Sequence, residues 1–260
     1  MRSRKGRFLE ATLGDPYSNL ALEEVLFTGL RAPTLRVWAN QRSVVIGRAQ
    51  LARAETDLEY CRRESVPVVR RFTAGGAVYN GPGNLNWSFL VPRWRGRGEG
   101  SDPSRVFESF AAIVVDALEE CHVESRYRPP NSIFDNCGKI SGMAAYISKD
   151  AVLCHGTLLV DADLKEVEAL TTPSAEELAR RYPRSKVVSI SNCGADPLEF
   201  AAKLANVFFD GSDDRHDTDA NGNGASTLTA AESEAASSLA ATKYASISWN
   251  LGDPFPLNDA

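Results

Sequence analysis

Helix-like and strand-like segments are interleaved irregularly over the first 209 residues, and this order constrains the fold more than any other feature. Apolar residues at helical spacing predict four main helices, at 17–30, 51–61, 107–121 and about 197–209. Apolar and β-branched runs predict six strands, at 34–38, 43–47, 67–72, 85–91, 139–147 and 151–160. Because strands and helices do not alternate strictly, we expect an α+β fold rather than a doubly wound sheet.

Composition divides the chain into three parts. Hydrophobic residues make up 43% of the 260 residues, which is enough for a core, and we expect residues 1–209 to form one domain. Residues 210–242 are rich in Asp, Ser, Ala, Asn and Thr, which predicts a flexible linker with at most a weak alanine-rich helix near 230–241. Residues 243–260 carry Tyr244, Trp249 and Phe255 and form a C-terminal aromatic segment, which either docks a partner or folds back on the domain.

Charge and cysteine content exclude several function classes. The net charge of -5 argues against general nucleic-acid binding. No apolar run approaches the length of a membrane span, and no apolar signal segment follows the basic residues 1–6. Five cysteines without paired metal spacing indicate reduced thiols in a cytoplasmic protein. With three histidines, a histidine-rich metal site is not expected.

Two glycine-containing motifs could carry chemistry. In residues 70–78 (RRFTAGGAV), a strand delivers two arginines and then two glycines, so guanidinium groups and exposed amides could cradle a phosphate or carboxylate. In residues 138–142 (GKISG), a lysine between glycines could reach into a cleft and neutralise a phosphate. Taken alone, each motif is more often a tight turn or a solvated lysine.

A third motif, residues 154–157 (CHGT), lies within an apolar strand. By strand alternation His155 shares a face with Leu153 and Leu159, where a lone histidine is usually a satisfied core or rim residue. Cys154 is more often a small buried hydrophobe than a nucleophile.

Together with three further segments, these motifs resemble the lipoate-protein ligase family. The matching segments occur in the family's order and are residues 19–24 (NLALEE), 44–50 (VVIGRAQ), 70–78 (RRFTAGGAV), 83–89 (GNLNWSF), 139–144 (KISGMA) and 155–159 (HGTLL). The resemblance implies the biotin/lipoate-protein ligase catalytic-domain fold, with a mixed β-sheet flanked by helices. It covers the first helix to about residue 163 and is weaker from there to residue 209.

The resemblance also implies a site. Lys139 would be the catalytic residue, bridging an acyl carbonyl and the α-phosphate of ATP. Asp135 would make a metal or ribose contact. The acyl-adenylate pocket would be built from Arg71, Thr73, Gly75, Gly76, Ala77, Val78, Val45, Gly47, Asn84, Asp135, Ser141, Gly142, His155, Gly156 and Thr157.

The implied activity is that of an ATP-dependent ligase. It would use Mg²⁺ as an activator, hold no permanently bound cofactor, and transfer a lipoyl group to a lysine of a lipoyl carrier domain. Such carriers are the E2 component of a 2-oxoacid dehydrogenase or a glycine cleavage H protein. Two-domain ligases continue into an accessory domain, so we expect a separate accessory protein to assist adenylation, docking near Trp249 and Phe255.

Three alternatives remain open. An octanoyl or lipoyl acyltransferase would use Cys137 or Cys154 as a nucleophile, although the position of the nucleophile in the related transferases is Ile133 here. A biotin ligase is disfavoured because the glycine-rich segment lacks the basic Gly-Arg-Gly-Arg pattern. A non-catalytic lipoyl-domain binding protein would need neither Arg71 nor Lys139.

Overall fold

A seven-stranded, largely antiparallel sheet forms the centre of the computed structural model, which describes residues 6–93, 102–171, 188–210 and 226–252. Its strand order is β1-β2-β6-β10-β9-β8-β7, and only the β1–β2 pair is parallel. The strands are β1 (Arg7–Glu10), β2 (Thr34–Trp38), β6 (Asn84–Pro92), β7 (Arg126–Arg128), β8 (Ser132–Phe134), β9 (Lys139–Ile147) and β10 (Ala151–Leu159).

A second, three-stranded sheet carries the glycine-rich motif. Its order is β4-β3-β5, with β3 parallel to β4 and antiparallel to β5. The strands are β3 (Ser43–Ile46), β4 (Val68–Arg70) and β5 (Val78–Asn80). The mixed sheets flanked by helices confirm the predicted α+β class.

Helices cover both faces of the large sheet. They are α1 (Pro16–Thr28), α2 (Ala52–Glu55), α3 (Leu58–Arg63), α4 (Pro103–Glu120), α5 (Leu164–Leu170), α6 (Pro197–Asp210), α7 (Ala230–Leu239) and α8 (Ile247–Leu251). The predicted helix at 51–61 is wrong in one respect, because it divides into α2 and α3. Asp57 accepts hydrogen bonds from the Glu59 and Tyr60 amides and so begins a new helix.

The main core lies between the large sheet and helices α4 and α6. Asp102 caps α4, and Pro103 occupies its first turn, where no amide donor is required. Inward-facing Trp87 and Phe89 on β6 pack with Val114 and Phe200 from the two helices. Because side chains alternate along a strand, the neighbouring residues Asn86 and Ser88 face the opposite side. That side meets α1 and the small sheet.

The C-terminal part differs from the predicted linker. Residues 226–242 contain α7 and the beginning of a π-helical turn, Ala240–Tyr244, which pack against α1. Thr229 and Glu232 form a reciprocal capping box that begins α7. The alanine-rich helix expected near 230–241 is therefore present as α7, and this part of the segment is packed rather than flexible because Ala236 and Ala240 are buried. Residues 211–225 of the predicted linker lie outside the described residues.

Arg70 attaches the C-terminal segment to the small sheet. Its guanidinium donates hydrogen bonds to the carbonyl oxygens of Trp249 (2.7 Å), Asn250 (3.3 Å) and Gly252 (3.1 Å), and also to Gly47, Arg48 and Gln50. The Trp249 indole donates back to the Arg70 carbonyl at 2.7 Å. We call Arg70 and residues 249–252 the C-terminal clamp. Trp249 therefore folds back on the domain, whereas Phe255 lies outside the described residues.

No helix in the described ranges is long and apolar enough to cross a membrane.

Candidate active site

A cavity of about 820 Å³ lies between the two sheets and is lined by most of the predicted site residues. The predicted residues that line it are Val45, Arg71, Gly76, Ala77, Val78, Lys139, Ser141, Gly142, His155, Gly156 and Thr157. The cavity wall also includes Leu20, Trp38, Asn80, Asn86, Arg128 and Asn131, which the sequence did not indicate.

Arg71 organises the glycine-rich loop on one side of the cavity. Its guanidinium donates to the carbonyls of Ala74 and Gly76, both at 2.8 Å, and to the Thr73 hydroxyl at 3.0 Å. Burial lowers the pKa of Arg71 to about 10, although the Glu23 and Glu55 carboxylates act in the opposite direction. The group therefore stays charged at neutral pH, and its hydrogen-bond acceptors there are neutral oxygens. A cation held in this way can still attract an anion in the cavity.

The loop itself needs glycine at two positions. Gly75 has a φ of 100°, a conformation that residues with a Cβ rarely adopt. Gly47, at the end of β3, lies under the loop, and a Cβ there would be 2.2 Å from the Gly75 carbonyl oxygen. Three predicted site residues therefore support the loop without lining the cavity, namely Gly47, Thr73 and Gly75.

Lys139 begins β9 and lines the same cavity. Its backbone is fixed between the Ser189 carbonyl (2.8 Å) and the Ser191 amide (3.1 Å). The half-buried side chain crosses Gly142, where a Cβ would be 2.9 Å from Nζ. Burial lowers the pKa of Lys139. Within the described part of the chain, its ammonium has no hydrogen-bond or ion-pair partner, so it is available to a ligand.

Glu23 and His155 form a buried polar chain that ends at Arg71. His155 Nδ1 lies 2.9 Å from both oxygens of Glu23, and His155 Nε2 lies 2.9 Å from the Thr73 hydroxyl, which accepts from Arg71. Burial alone would raise the pKa of Glu23, but the charge and hydrogen bond of His155 and the hydrogen bond from Ser88 outweigh it, and the pKa is lowered. Glu23 was not predicted, although it lies in the quoted segment 19–24.

Part of the cavity wall is apolar. Its members Leu20, Trp38, Val45 and Val78 belong to one hydrophobic cluster. Asn80 and Asn86 also line the cavity, and each has one buried side-chain atom, Oδ1 and Nδ2 respectively, without a hydrogen-bond partner among the described residues. Alternating polar residues on β6 would ordinarily indicate a solvent-exposed face, so the sequence alone did not predict that they line a cavity.

Two predicted site residues lie elsewhere. Asp135 does not line the cavity: its Oδ1 accepts from the Cys137 and Gly138 amides, both at 2.7 Å, and its Oδ2 accepts from the Ser191 hydroxyl at 2.8 Å. These bonds give Asp135 a role in the turn that precedes Lys139, so the proposed metal contact is not supported. The described residues contain no cluster of three or more His, Cys, Asp or Glu side chains suited to a metal.

Asn84 lines a second cavity of about 730 Å³ instead of the first. Asn84 is the first residue of β6 and pairs with Leu159, the last residue of β10, so it lies at the end of this strand pair. There its side chain borders the second cavity.

The candidate cysteines do not line the main cavity either. Cys154 is fully buried in the main core, and this burial raises the pKa of its thiol. Cys137 is exposed in the turn after Asp135. Neither thiol is placed to attack a ligand held between Arg71 and Lys139.

Comparison with known sequences agrees with the geometry. Residues 15–209 match the profile of the lipoyl protein ligase A/B catalytic domain. A putative lipoate-protein ligase A from Aeropyrum pernix is 33% identical over 175 residues, which cover 66% of this chain and 64% of that protein. The chain spans between 44% and 64% of the length of the first curated relatives it matches.

Two solved structures have the same fold. One comes from the bipartite lipoate protein ligase and E2 lipoyl domain of Thermoplasma acidophilum, with a TM-score of 0.81, 26% identity, and coverage of 97% of this chain and 98% of that one. The other is lipoate-protein ligase A bound with ATP, with a TM-score of 0.79, 26% identity, and coverage of 95% and 99%. The profile match spans most of the chain, and this chain belongs to the lipoyl protein ligase A/B catalytic-domain family.

Proposed function

We propose that the protein is a lipoate-protein ligase, which forms lipoyl-AMP from lipoate and ATP and transfers the lipoyl group to a lysine of a lipoyl carrier domain. The observation that carries this proposal is the pairing of Lys139, whose ammonium is free within the described residues, with the Arg71-held loop in one cavity. The names of the relatives and the ATP-bound neighbour support it.

In the first step, a carboxylate oxygen of lipoate attacks the α-phosphorus of ATP. The bond from that phosphorus to the bridging oxygen breaks, and pyrophosphate leaves. Lys139 offsets the negative charge that develops between carboxylate and phosphate, and the loop held by Arg71 supplies backbone amides to the phosphate. The polar chain from Glu23 through His155 and Thr73 keeps Arg71 in place.

In the second step, the amine of the carrier lysine attacks the carbonyl carbon of lipoyl-AMP. The bond from that carbon to the phosphate oxygen breaks, AMP leaves, and the new amide nitrogen releases its proton to solvent. No protein nucleophile is needed because the adenylate is already activated. The protein contributes positioning, charge stabilisation and exclusion of water.

Mg²⁺ would enter with the nucleotide. Magnesium bound with ATP commonly uses phosphate oxygens, water and only one or two carboxylates. Binding of this kind fits a cavity whose charged groups include Arg71 and Lys139. We therefore assign Mg²⁺ to ATP as an activator rather than to Asp135. No permanently bound cofactor is proposed.

The proposed partners are lipoyl carrier domains and a separate accessory protein for adenylation. The T. acidophilum neighbour comes from a bipartite lipoate protein ligase and its E2 lipoyl domain. By this likeness we infer the same division for this chain, in a cytoplasmic setting. The exposed side chains of Ile247 and Leu251 on α8 offer an apolar contact for such an accessory protein.

The acyltransferase alternative is weakened by the positions of Cys137 and Cys154 outside the cavity. The non-catalytic alternative does not explain why the ammonium of Lys139 has no partner among the described residues and lines the cavity.

The decisive experiment incubates the chain with a lipoyl domain and either lipoate with Mg-ATP or synthetic lipoyl-AMP, and measures the mass of the acceptor. Transfer from lipoyl-AMP supports ligase activity, and faster transfer from lipoate and ATP on adding an accessory domain supports the divided arrangement. Absence of transfer from lipoyl-AMP would overturn the proposal.

A further inference from the structure

Residues 189–194 form a short segment, here called the support segment, that connects the start of β9 to the end of β10. At its C-terminal end, the Cys193 amide donates to the Leu159 carbonyl oxygen at 2.8 Å. The Asn192 side chain accepts from the Ala162 amide at 3.0 Å and donates to the Ala162 carbonyl oxygen at 2.9 Å. This end of the support segment is therefore fixed to β10 and to the residues that follow it.

The other end of the support segment fixes the backbone of Lys139. The Lys139 amide donates to the Ser189 carbonyl oxygen at 2.8 Å, and the Lys139 carbonyl oxygen accepts from the Ser191 amide at 3.1 Å. The two chains approach so closely here that a Cβ on Gly138 would be 2.8 Å from the Ile190 carbonyl carbon. Glycine at this position permits the approach. The point at which Lys139 enters β9 therefore depends on the support segment.

A side-chain hydrogen bond holds this end of the support segment in place. Ser191 Oγ donates to Asp135 Oδ2 at 2.8 Å, while Asp135 Oδ1 accepts from the Cys137 and Gly138 amides, both at 2.7 Å. Burial alone would raise the pKa of Asp135, but these hydrogen bonds outweigh it and the pKa is lowered. One ionised carboxylate therefore joins the turn before β9 to the support segment.

The side chain of Lys139 has little else to hold it. Arg71 is held in its loop by several hydrogen bonds, whereas the Lys139 ammonium has no hydrogen-bond or ion-pair partner in the part of the chain that the structure describes. Its place in the cavity is set by the backbone at the start of β9 and by the passage of the side chain over Gly142. A displacement of ~1 Å at a reacting group can slow a reaction by about 100-fold.

We propose that Asp135 and Ser191 are positioning residues, whose hydrogen bond sets the point at which Lys139 enters the cavity. Without this bond, the support segment would still be fixed at β10, but only two backbone hydrogen bonds would hold it against Lys139. Segments held by few hydrogen bonds open locally at low cost in free energy. The ammonium would then spend less time opposite the bound acyl-adenylate. This inference rests on the proposed function and adds to it the residues that place the catalytic lysine.

The first measurement follows Lys139 without catalysis. Competitive labelling of amines with acetic anhydride over a range of pH, read by mass spectrometry, gives the apparent pKa of Lys139 in the full chain. Burial holds this pKa below its ordinary value of 10.5 in the parent. In Ser191→Ala the ammonium should be less confined to its half-buried position, so its pKa should move toward 10.5. Ser191→Thr keeps the hydroxyl and should restore the parental pKa.

The second measurement is single-turnover transfer from saturating lipoyl-AMP to a lipoyl domain. Ser191→Ala should reduce the rate constant by roughly 10-fold, with a melting temperature near that of the parent. In a Lys139→Ala background the same substitution should have no further effect, because its consequence passes through the lysine. A merely structural role for Ser191 would give the same loss in both backgrounds.

Two further variants keep the test decisive. Ser148→Ala is the matched control, because the Ser148 hydroxyl also donates to a backbone oxygen but lies beyond the far end of β9. It should change neither the pKa of Lys139 nor the rate. Asp135→Ser replaces Ser191→Ala if that variant does not fold. A serine at this position keeps an acceptor for the turn amides but has no second oxygen for Ser191, so the pKa shift and the rate loss should reappear.

The outcomes separate this inference from the proposed function. An unchanged pKa of Lys139 in folded Ser191→Ala, or a parental transfer rate, overturns the inference while leaving the ligase proposal intact. An equal rate loss in the Lys139→Ala background also overturns it. Absence of transfer from lipoyl-AMP by the parent would overturn the proposed function, and the labelling profile alone would then decide whether Ser191 positions Lys139.

Discussion

Arg70 and Arg71 are adjacent in the sequence and are both buried, yet they belong to two different regions of the molecule. Arg71 holds the loop that borders the cavity, and Arg70 holds residues 249–252 in the C-terminal clamp. Both guanidinium groups donate mainly to carbonyl oxygens, so their chemistry is alike. The difference arises because neighbouring residues at a strand end project to opposite sides, one toward the cavity and one toward residues 249–252. One region should therefore govern activity and the other stability.

The largest expected effect is a loss of stability in Arg70→Met. The substitution removes a cation that serves six carbonyl oxygens and leaves several of them buried without donors, so the free energy of unfolding should fall by about 4 kcal/mol. Urea denaturation measures this change. Exposed Arg53→Met is the control and should be neutral. Unchanged stability, or lost transfer with full stability, would break the division between the two regions.

Lys139→Ala should reduce activity and leave stability unchanged, the reverse of Arg70→Met. Losing the cavity cation should slow transfer from lipoyl-AMP by ~100-fold, or about 3 kcal/mol of transition-state stabilisation, while the melting temperature stays near that of the parent. Single-turnover transfer followed by mass spectrometry measures the rate. The control is Lys149→Ala, an exposed lysine of the β9–β10 turn. A parental transfer rate in Lys139→Ala would remove the catalytic role.

Gly75→Ala tests whether the loop must keep its shape for the ligand. A Cβ at a φ of 100° is strained and would lie 2.8 Å from Nη2 of Arg71, so affinity for lipoyl-AMP should fall by about 2 kcal/mol. Fluorescence or calorimetric titration gives the affinity. Gly14→Ala is the matched control, because its Cβ would meet nothing within 4 Å. Parental affinity in Gly75→Ala would show that the loop is a plain turn.

A smaller effect should appear where α7 meets β1. Glu232 pairs with Arg7 at 2.7 Å, and this hydrogen-bonded partner lowers the pKa of Glu232 to about 2 from its ordinary 4.5. A lowered pKa contributes stability that is present above pH 4.5 and is lost as pH falls toward 2. Glu232→Gln should therefore cost about 0.5 to 1 kcal/mol at pH 7, and the cost should vanish as the pH falls through about 2. A stability difference that does not depend on pH would contradict the pairing.

The smallest effect on transfer is expected from the double replacement Cys137→Ser and Cys154→Ala. Neither thiol borders the cavity, so the transfer rate should remain at the parental value, with only a modest loss of stability from the buried methyl-sized change at Cys154. The rate from lipoyl-AMP is the measurement. Complete loss of transfer in the folded double variant would favour the cysteine-dependent alternative.

Hydrophobic periodicity and sequence motifs were sufficient to predict much of the fold and part of the site. The helical stripe of α4 and the hairpin of β9 and β10 follow from local spacing, which the structure confirms. The cavity collects Arg71, Lys139 and His155 as the ordered motifs implied. The short strands β7 and β8 were missed because three residues carry too little pattern.

The sequence by itself determined the α+β class, the glycine-rich loop beside two arginines, and the lysine between glycines, since each depends on residues close together along the chain. Only the tertiary structure decided that Glu23 contacts His155, 132 residues further along the chain. It also decided that the Asp135 carboxylate accepts hydrogen bonds within its own turn, and that Arg70 and Arg71 stabilise different regions. It further decided that Asn80 and Asn86 line the cavity rather than a solvent-exposed face of the sheet. The physical reason is that burial and hydrogen-bond partners depend on which strands become neighbours, and strand pairing between distant segments is not encoded in local spacing.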